Sequence, residues 1–424
     1  MTAKDNHKII YVYAHWVGMK DPIYMGELKS EYTRGKEIFS FSYSDTWLKS
    51  NYSQILDPEL QFYSGSQYAR EEKPNFGLFL DSSPERWGRL LMKRHEAVLA
   101  RSEGRSVRTL RESEYLLGVF DGHRMGALRF KEDLNGPFLN NNELHASPPW
   151  TSIGQLEQVS LKLEDDDASE DPDYNNWLTM LVNPGSSLGG ARPKAGVIDV
   201  ENNLWIAKFP SKSDTKDIGG WEMVVNDLAK SSGINVAESR IQKFSSKYHT
   251  FLTKRFDRTD TNERIHYASA MTMLGYTDGT DFNDGASYLE IVDFLTNNGA
   301  NINNDLAELW KRIVLSIFIS NTDDHLRNHG FILTQKGWIL SPAFDINPNE
   351  DGSGLSLNIS FDDNSLNLKL PLEVVEYFRL TKESGLKIID IIKKSVGRWR
   401  NIATLYQLPK SEQDLMGKVF ERFL

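Results

Sequence analysis

The chain contains no cysteine. Disulfide bonds, thiolate nucleophiles and cysteine-ligated zinc are therefore excluded. Long apolar runs are missing as well: no stretch approaches the roughly 18 consecutive apolar residues of a membrane-spanning helix. The opening stretch, MTAKDNHKIIYVYAHW, has no basic segment followed by a long apolar one, so it reads as a poor signal peptide. A cytoplasmic protein with no membrane partner is expected. Basic residues fall short of acidic ones, 49 against 59, for a net charge of −10. That balance argues against broad nucleic-acid binding by the chain alone. There is no internal repeat.

What is present is ordinary for a large globular protein. The 424 residues exceed the size at which one core usually stops growing, so at least two packed lobes are expected. With 21 Phe, 16 Tyr and 10 Trp, the chain has the aromatic mass to fill them.

Residues 8–43 read as strands, from Ile9–Tyr13, Tyr24–Leu28 and Ile38–Phe41. Trp87, Leu90, Leu91 and Ala97 predict a helix over about 84–101, capped by Ser82 or Ser83. Residues 133–178 turn polar, with the acidic run Glu164–Asp167 followed by Glu170, Asp171 and Asp173. They read as a solvated linker at a lobe boundary. Ala195–Val200 and Leu204–Phe209 predict a hairpin about Asn202-Asn203. Trp221–Ser232 predicts a helix ending at Gly233, and Tyr248–Phe256 a strand. Leu306, Leu309, Trp310, Ile313, Val314, Ile317 and Phe318 recur at three- and four-residue steps, which marks a buried helix face. The last hundred residues are expected to be mostly helical.

The buried helix runs into Ser320-Asn321-Thr322-Asp323-Asp324-His325-Leu326-Arg327-Asn328. Protein-kinase catalytic loops place an Asp five residues before an Asn. The Asp orients the attacking hydroxyl, and the Asn helps to hold a metal. Asp323 and Asn328 have that spacing, with Asp324 an alternative base and His325 read as a structural hydrogen bonder. Gly330–Leu333 and Trp338–Leu340 predict a hairpin that returns a third group, Asp345, toward Asn328. Hard oxygen ligands of this kind suit Mg²⁺.

A nucleotide also needs a phosphate cradle. Pro184–Lys194 supplies adjacent glycines, Gly189 and Gly190, with Arg192 and Lys194 for charge. It lacks the Gly-Lys-Ser/Thr of a Walker A loop. Lys208, on an apolar strand, matches in kind the strand lysine that pairs nucleotide phosphates in kinases; the alternative is a solvent-exposed edge lysine. Glu222 is its candidate partner.

Taken together, these segments resemble the HipA family of bacterial toxin kinases. Four stretches carry the resemblance: Ser187–Lys194 as the Gly-rich loop, Lys254–Arg258 as the hinge strand, Asn321–Asn328 as the catalytic loop and Ser341–Asp345 as the metal-binding segment. Tyr24–Leu28 and Leu80–Gly88 resemble the family's N-terminal subdomain.

The resemblance implies an α+β, two-lobed, protein-kinase-like fold, with a β-rich N-terminal lobe and an all-helical C-terminal lobe. It implies four segments: residues 1–135 as the N-terminal subdomain, 136–180 as an acidic linker or insertion, 181–260 as nucleotide-binding strands with the Gly-rich loop, and 261–424 as a mainly helical catalytic lobe. It further implies a serine/threonine kinase using ATP and Mg²⁺, with Asp323 as base and Asn328 and Asp345 as metal ligands. Gly189, Gly190, Ala191, Lys194, Lys208, Lys254, Phe256, His325, Arg327 and Asn328 would contact nucleotide. Ser187 would be autophosphorylated, with Ser186 its neighbour. The expected partners are a helix-turn-helix antitoxin of the HipB type, through which the chain would reach DNA, and a protein substrate such as an aminoacyl-tRNA synthetase. Two further readings stay open: a nucleotide-binding regulatory subunit with little transfer, and a small-molecule kinase on the same fold.

Overall fold

A computed structural model describes residues 6–143, 148–185 and 190–424. The chain forms two compact units. The first comprises Met1–Lys212 and Asp257–Ala268; the second comprises Ser213–Phe256 and Ser269–Leu424. The unit changes thus fall after residues 212, 256 and 268, and the stretch 136–180 lies wholly inside the first unit.

In the first unit, strands His7–Ala14, Ile23–Thr33, Lys36–Tyr43, Gln67–Tyr68 and Leu128–Lys131 form one antiparallel sheet. Its spatial order is Gln67–Tyr68, Lys36–Tyr43, Ile23–Thr33, His7–Ala14, Leu128–Lys131. The two-residue period of a strand puts Ile10, Val12 and Ala14 on one face, and all three are fully buried. Phe79 seals that face, 5.5 Å from Phe41 and 6.1 Å from Phe130.

The helix expected near residue 84 spans Arg86–Ser102. Its cap differs from expectation. Glu85 occupies the N-cap, while Ser82 and Ser83 donate back to the carbonyls of Leu78 and Phe79 and close the preceding short helix, Gly77–Leu80.

The acidic stretch also differs. Instead of an open linker it holds helices Ile153–Leu163 and Tyr174–Gly185. Ile153, Leu156, Val159, Leu163, Leu178 and Leu181 are buried, an apolar stripe that the surrounding acids outnumber locally. The acids have partners: Glu164 accepts from the Ser211 hydroxyl at 3.0 Å, and Asp165 pairs with Lys212.

The hairpin expected after residue 194 is Lys194–Ile198 with Leu204–Lys208, in a register that sets Lys194 opposite Lys208. Its turn uses Asn202 in the left-handed region (φ 65°), and Asp199 accepts from the backbone N–H of Asn203 at 2.8 Å. The start of the Arg86–Ser102 helix holds the entry to this hairpin. The N–H of Trp87 donates to the Gly190 carbonyl at 3.1 Å, its indole N–H donates to the Lys194 carbonyl at 2.9 Å, and Glu85 accepts from the Gly190 N–H at 2.5 Å.

The second unit centres on helix Ile302–Phe318, whose Leu306, Leu309, Trp310, Ile313, Val314, Ile317 and Phe318 are all fully buried. Helix Ile218–Ser231 ends at Gly233, which takes φ 72°, and packs Trp221 against Trp399 and Phe420 at 6.1 and 5.9 Å. Helices Lys382–Val396, Trp399–Leu405 and Lys410–Phe420 complete the C-terminal part. This unit is not all-helical. It contains hairpins Ser239–Gln242 with Thr250–Lys254, and Gly330–Thr334 with Gly337–Leu340. Among the described residues, no helix is long and apolar enough to cross a membrane.

Candidate active site

The site of the second unit begins where helix Ile302–Phe318 ends. Ser320, buried and in the left-handed region (φ 50°), turns the chain out of the helix, and the Asn321 N–H donates to the Ser316 carbonyl at 2.9 Å. The loop that follows is knitted by its own backbone. The His325 N–H donates to the Asp323 carbonyl at 3.0 Å, and the Asn328 N–H donates to the His325 carbonyl at 2.9 Å. Asn328 Nδ2 donates to the Asp323 carbonyl at 2.8 Å, which ties together the two ends of the five-residue spacing.

The two adjacent acids have opposite surroundings. Asp323 is exposed. Asp324 is buried, at 5% exposure. Asp324 Oδ2 accepts from the Tyr288 hydroxyl at 2.5 Å and from the Ser316 hydroxyl at 3.3 Å, while Oδ1 lies 3.0 Å from His329 Nε2. Burial pushes this carboxyl up, but His329 and the donors outweigh it and hold it below the ordinary aspartate range. Burial, with the Asp324 charge beside it, pushes the Tyr288 hydroxyl well above the ordinary range.

The hairpin Gly330–Thr334 and Gly337–Leu340 carries the chain back. Arg312, buried in the central helix, donates to the Ser341 carbonyl at 2.7 Å and to Glu308 at 3.2 Å, fixing the strand exit. Burial pushes the Arg312 guanidinium down from its ordinary value, against the pull of Glu308. The Ala343 N–H donates to the Asn235 carbonyl at 2.8 Å. Asp345 follows in the left-handed region (φ 56°), a conformation that Asp tolerates better than most residues. Its Oδ1 accepts from Asn347 Nδ2 at 3.2 Å.

Asn321, Asp324, Asn328 and His329 share a narrow cavity with Ala343, Phe344 and Ile346, the residues flanking Asp345. The cavity measures about 10 Å³, room for roughly one water. The loop and the Asp345 segment therefore converge, as their separation in sequence requires. Among the described residues, no group of three or more His, Cys, Asp and Glu side chains is placed to hold a metal. Mg²⁺ in general takes one or two carboxylates and fills its shell with waters and substrate phosphates. Asn328 and Asp345 carry side-chain oxygens of the hard kind such an ion takes, and Asn347 Oδ1 is buried without a hydrogen-bond partner.

Of the other expected contacts, Phe256 lies 5.5 Å from Phe344, and the Lys254 N–H donates to the Glu238 carbonyl at 2.8 Å. His325 Nδ1 is buried without a hydrogen-bond partner, and Arg327 pairs with Asp278 at 3.2 Å. Gly190, Ala191, Lys194 and Lys208 belong to the first unit, whereas Glu222 belongs to the second. Ser186, Ser187, Leu188 and Gly189 lie outside the described residues.

Sequence reasoning missed the clasp around the loop. Asn349 Nδ2 donates to Thr322 Oγ1 at 2.7 Å, and the Ser356 hydroxyl donates to the Thr322 carbonyl at 2.8 Å. Lys216 pairs with Glu350 in the same segment. The signal available was compositional: Asn347, Asn349 and Ser356 form a polar run directly after Asp345.

One solved structure shares this fold across nearly the whole chain. Over 97% of this chain and 96% of the other, the match is to the Shewanella oneidensis MR-1 toxin–antitoxin protein HipA, solved with HipB and operator DNA, at TM-score 0.62 and 17% identity. A Helicobacter pylori proinflammatory kinase, CtkA, matches over 57% of this chain and 95% of its own, at TM-score 0.37 and 16% identity. A Haemophilus influenzae protein named "Putative kinase" is 25% identical over 179 residues, which is 38% of this chain and 52% of that protein. The chain thus spans about half the length of that relative. The fold is that of HipA. The HipA-like C-terminal domain matches residues 186–401, just over half of the chain, and the chain belongs to this family.

Proposed function

We propose that the chain is a serine/threonine protein kinase that uses ATP and Mg²⁺ in the cytoplasm and acts as the toxin of a HipA-type toxin–antitoxin pair. One observation carries this reading: Asn328 and the residues flanking Asp345 line one cavity, beneath a loop that leaves Asp323 exposed. The kinase name of the Haemophilus influenzae relative supports it.

In this reading the exposed Asp323 carboxylate accepts the proton of the attacking hydroxyl. Asn328 and Asp345 hold Mg²⁺, which supplies neutralising charge at the phosphates. Asn328 also holds the Asp323 backbone, so base and ligand move as one piece. Backbone at Lys254, Arg255 and Phe256 takes the adenine. Gly189, Gly190, Ala191, Lys194, Lys208, His325 and Arg327 take the rest of the nucleotide. Ser187 receives phosphate in self-transfer, gaining close to two negative charges.

In this reading the partner is a HipB-like helix-turn-helix antitoxin through which the chain reaches DNA; the Shewanella oneidensis structure, a complex of HipA with HipB and its operator DNA, supports such a partner. A net charge of −10 suits an indirect approach to DNA. The substrate in this reading is a cytoplasmic protein such as an aminoacyl-tRNA synthetase.

The test is incubation of the purified chain with Mg-ATP labelled at the γ-phosphate. Label is expected on the chain, with mass spectrometry locating it at Ser187, and Asp323→Asn is expected to abolish it. Undiminished transfer by Asp323→Asn would reject the assignment.

A further inference from the structure

Resting on the kinase reading above, we propose that Asp324 is a positioning residue. It fastens the loop carrying Asp323 and Asn328 to helices Tyr288–Asn298 and Ile302–Phe318, and takes no proton from substrate itself.

Three separate elements reach the Asp324 carboxylate. Tyr288, the first residue of helix Tyr288–Asn298, gives its hydroxyl at 2.5 Å. Ser316, near the end of helix Ile302–Phe318, gives its hydroxyl at 3.3 Å. His329, directly before strand Gly330–Thr334, sets Nε2 at 3.0 Å from the other carboxylate oxygen. His329 is itself held: its carbonyl accepts from the Ala270 N–H at 2.8 Å, and its ring meets the Tyr288 ring edge-on at 5.5 Å.

Both oxygens of Asp324 are thus engaged inside the protein, whereas a base for an incoming hydroxyl must stand open to it. Asp323, one residue earlier, stands open. A buried carboxylate is costly to build, and this one is held by two hydroxyl donors and by the His329 ring beside it. Its place in the chain, between Asp323 and Asn328, means that tilting it displaces both. Misplacement by about 1 Å can cost roughly 100-fold in rate.

The distinction is sharp at one substitution. An amide at 324 keeps the size and shape. Its oxygen can still accept from Tyr288, and its nitrogen can donate to a neutral His329. Asparagine therefore rescues a positioning role and cannot rescue a base.

The experiment measures Mg-ATP turnover, with phosphate passed to the chain or to water, in wild type, Asp323→Asn, Asp324→Asn, Asp324→Ala and Tyr288→Phe. Asp324→Asn is expected to retain kcat within about fivefold of wild type. Asp324→Ala is expected to lose about 30-fold or more in kcat while its KM for ATP moves less than about threefold, the split that marks lost transition-state alignment. Tyr288→Phe should fall between the two, and adding it to Asp324→Ala should change little.

An Asp324→Asn as inactive as Asp323→Asn would make Asp324 the base and overturn the proposal. So would a folded Asp324→Ala with wild-type kcat. If Asp324→Ala does not fold, a folded Tyr288→Phe with wild-type kcat overturns it equally. A silent wild type removes the kinase reading and this proposal together. An active wild type beside an indifferent Asp324→Ala removes this proposal alone.

Discussion

Asn328 turns its side-chain nitrogen back onto the carbonyl of Asp323, at 2.8 Å. With the nitrogen committed to the loop, the amide oxygen is the atom left for a hard cation. Asn328→Ala removes both the tie and the proposed ligand. We expect turnover of Mg-ATP, as kcat/KM, to fall about 100-fold, with half-maximal rate displaced to higher Mg²⁺. A magnesium titration of the variant beside wild type checks this, and an unchanged magnesium requirement would remove Asn328 from the ligand set.

Asp323→Asn isolates the chemistry from the fold. The side chain is exposed, and the substitution keeps its shape. The change in unfolding free energy should stay within about 0.5 kcal/mol, as for surface positions generally. Phosphoryl transfer should fall by about 10²- to 10⁴-fold, the usual share of a positioned base. Thermal unfolding and labelled-phosphate transfer, measured on the same preparation, give the two numbers.

Local rules made much of this architecture readable, and tertiary contacts account for what escaped them. The hairpins at 194–208 and 330–340 declare themselves through apolar strands broken by Asn202-Asn203 and by Gly337. The helix Ile302–Phe318 declares itself by an unbroken apolar stripe. Helix Ile153–Leu163 carries a stripe too, at Ile153, Leu156, Val159 and Leu163, but the acids beginning at Glu164 dominate the composition around it. The return of Asp257–Ala268 to the first unit has no local signature, because it depends on contacts such as Asp257 accepting from the Gly126 N–H at 2.9 Å. The spacing of Asp323 and Asn328 was legible. Which of two adjacent acids stands open was not, since that is decided by Tyr288, 36 residues upstream of Asp324.

Gly352 touches the loop from the segment after Asp345. A Cβ there would sit 2.2 Å from Thr322 Cγ2, one residue before Asp323. The neighbourhood has little freedom to yield, because Thr322 Oγ1 and the Thr322 carbonyl are both held. Gly352→Ala should cost about 1–3 kcal/mol of stability, as overpacking does, and should slow transfer by displacing Asp323. Adding Thr322→Ser deletes the offending methyl and keeps the hydroxyl. Denaturant unfolding should show the double variant recovering part of the loss, since a Cβ at 352 would still lie 2.8 Å from the retained Oγ1; a double variant no better than Gly352→Ala would place the strain elsewhere.

The first unit contains a carboxylic acid whose titration should be visible in stability. Asp57 is fully buried, and its two oxygens accept from the N–H groups of Glu59 and Leu78, both at 2.9 Å. Burial pushes it up to about 6, with those two donors pulling the other way. In the unfolded chain it returns to the ordinary range near 4. Between these values the folded protein binds a proton that the unfolded chain does not. The contribution of Asp57 to stability therefore grows as pH falls through 6 and levels off below about 4; it is smallest above pH 7. Asp57→Asn is neutral throughout. It loses one acceptor, which shifts stability by an amount independent of pH. The melting temperature of wild type should thus gain on that of Asp57→Asn as pH is lowered from 7 to 5. Thermal unfolding of both proteins across this range gives the difference directly. Two parallel curves would mean that Asp57 has the same proton affinity folded and unfolded, and that the donors from Glu59 and Leu78 fully offset its burial.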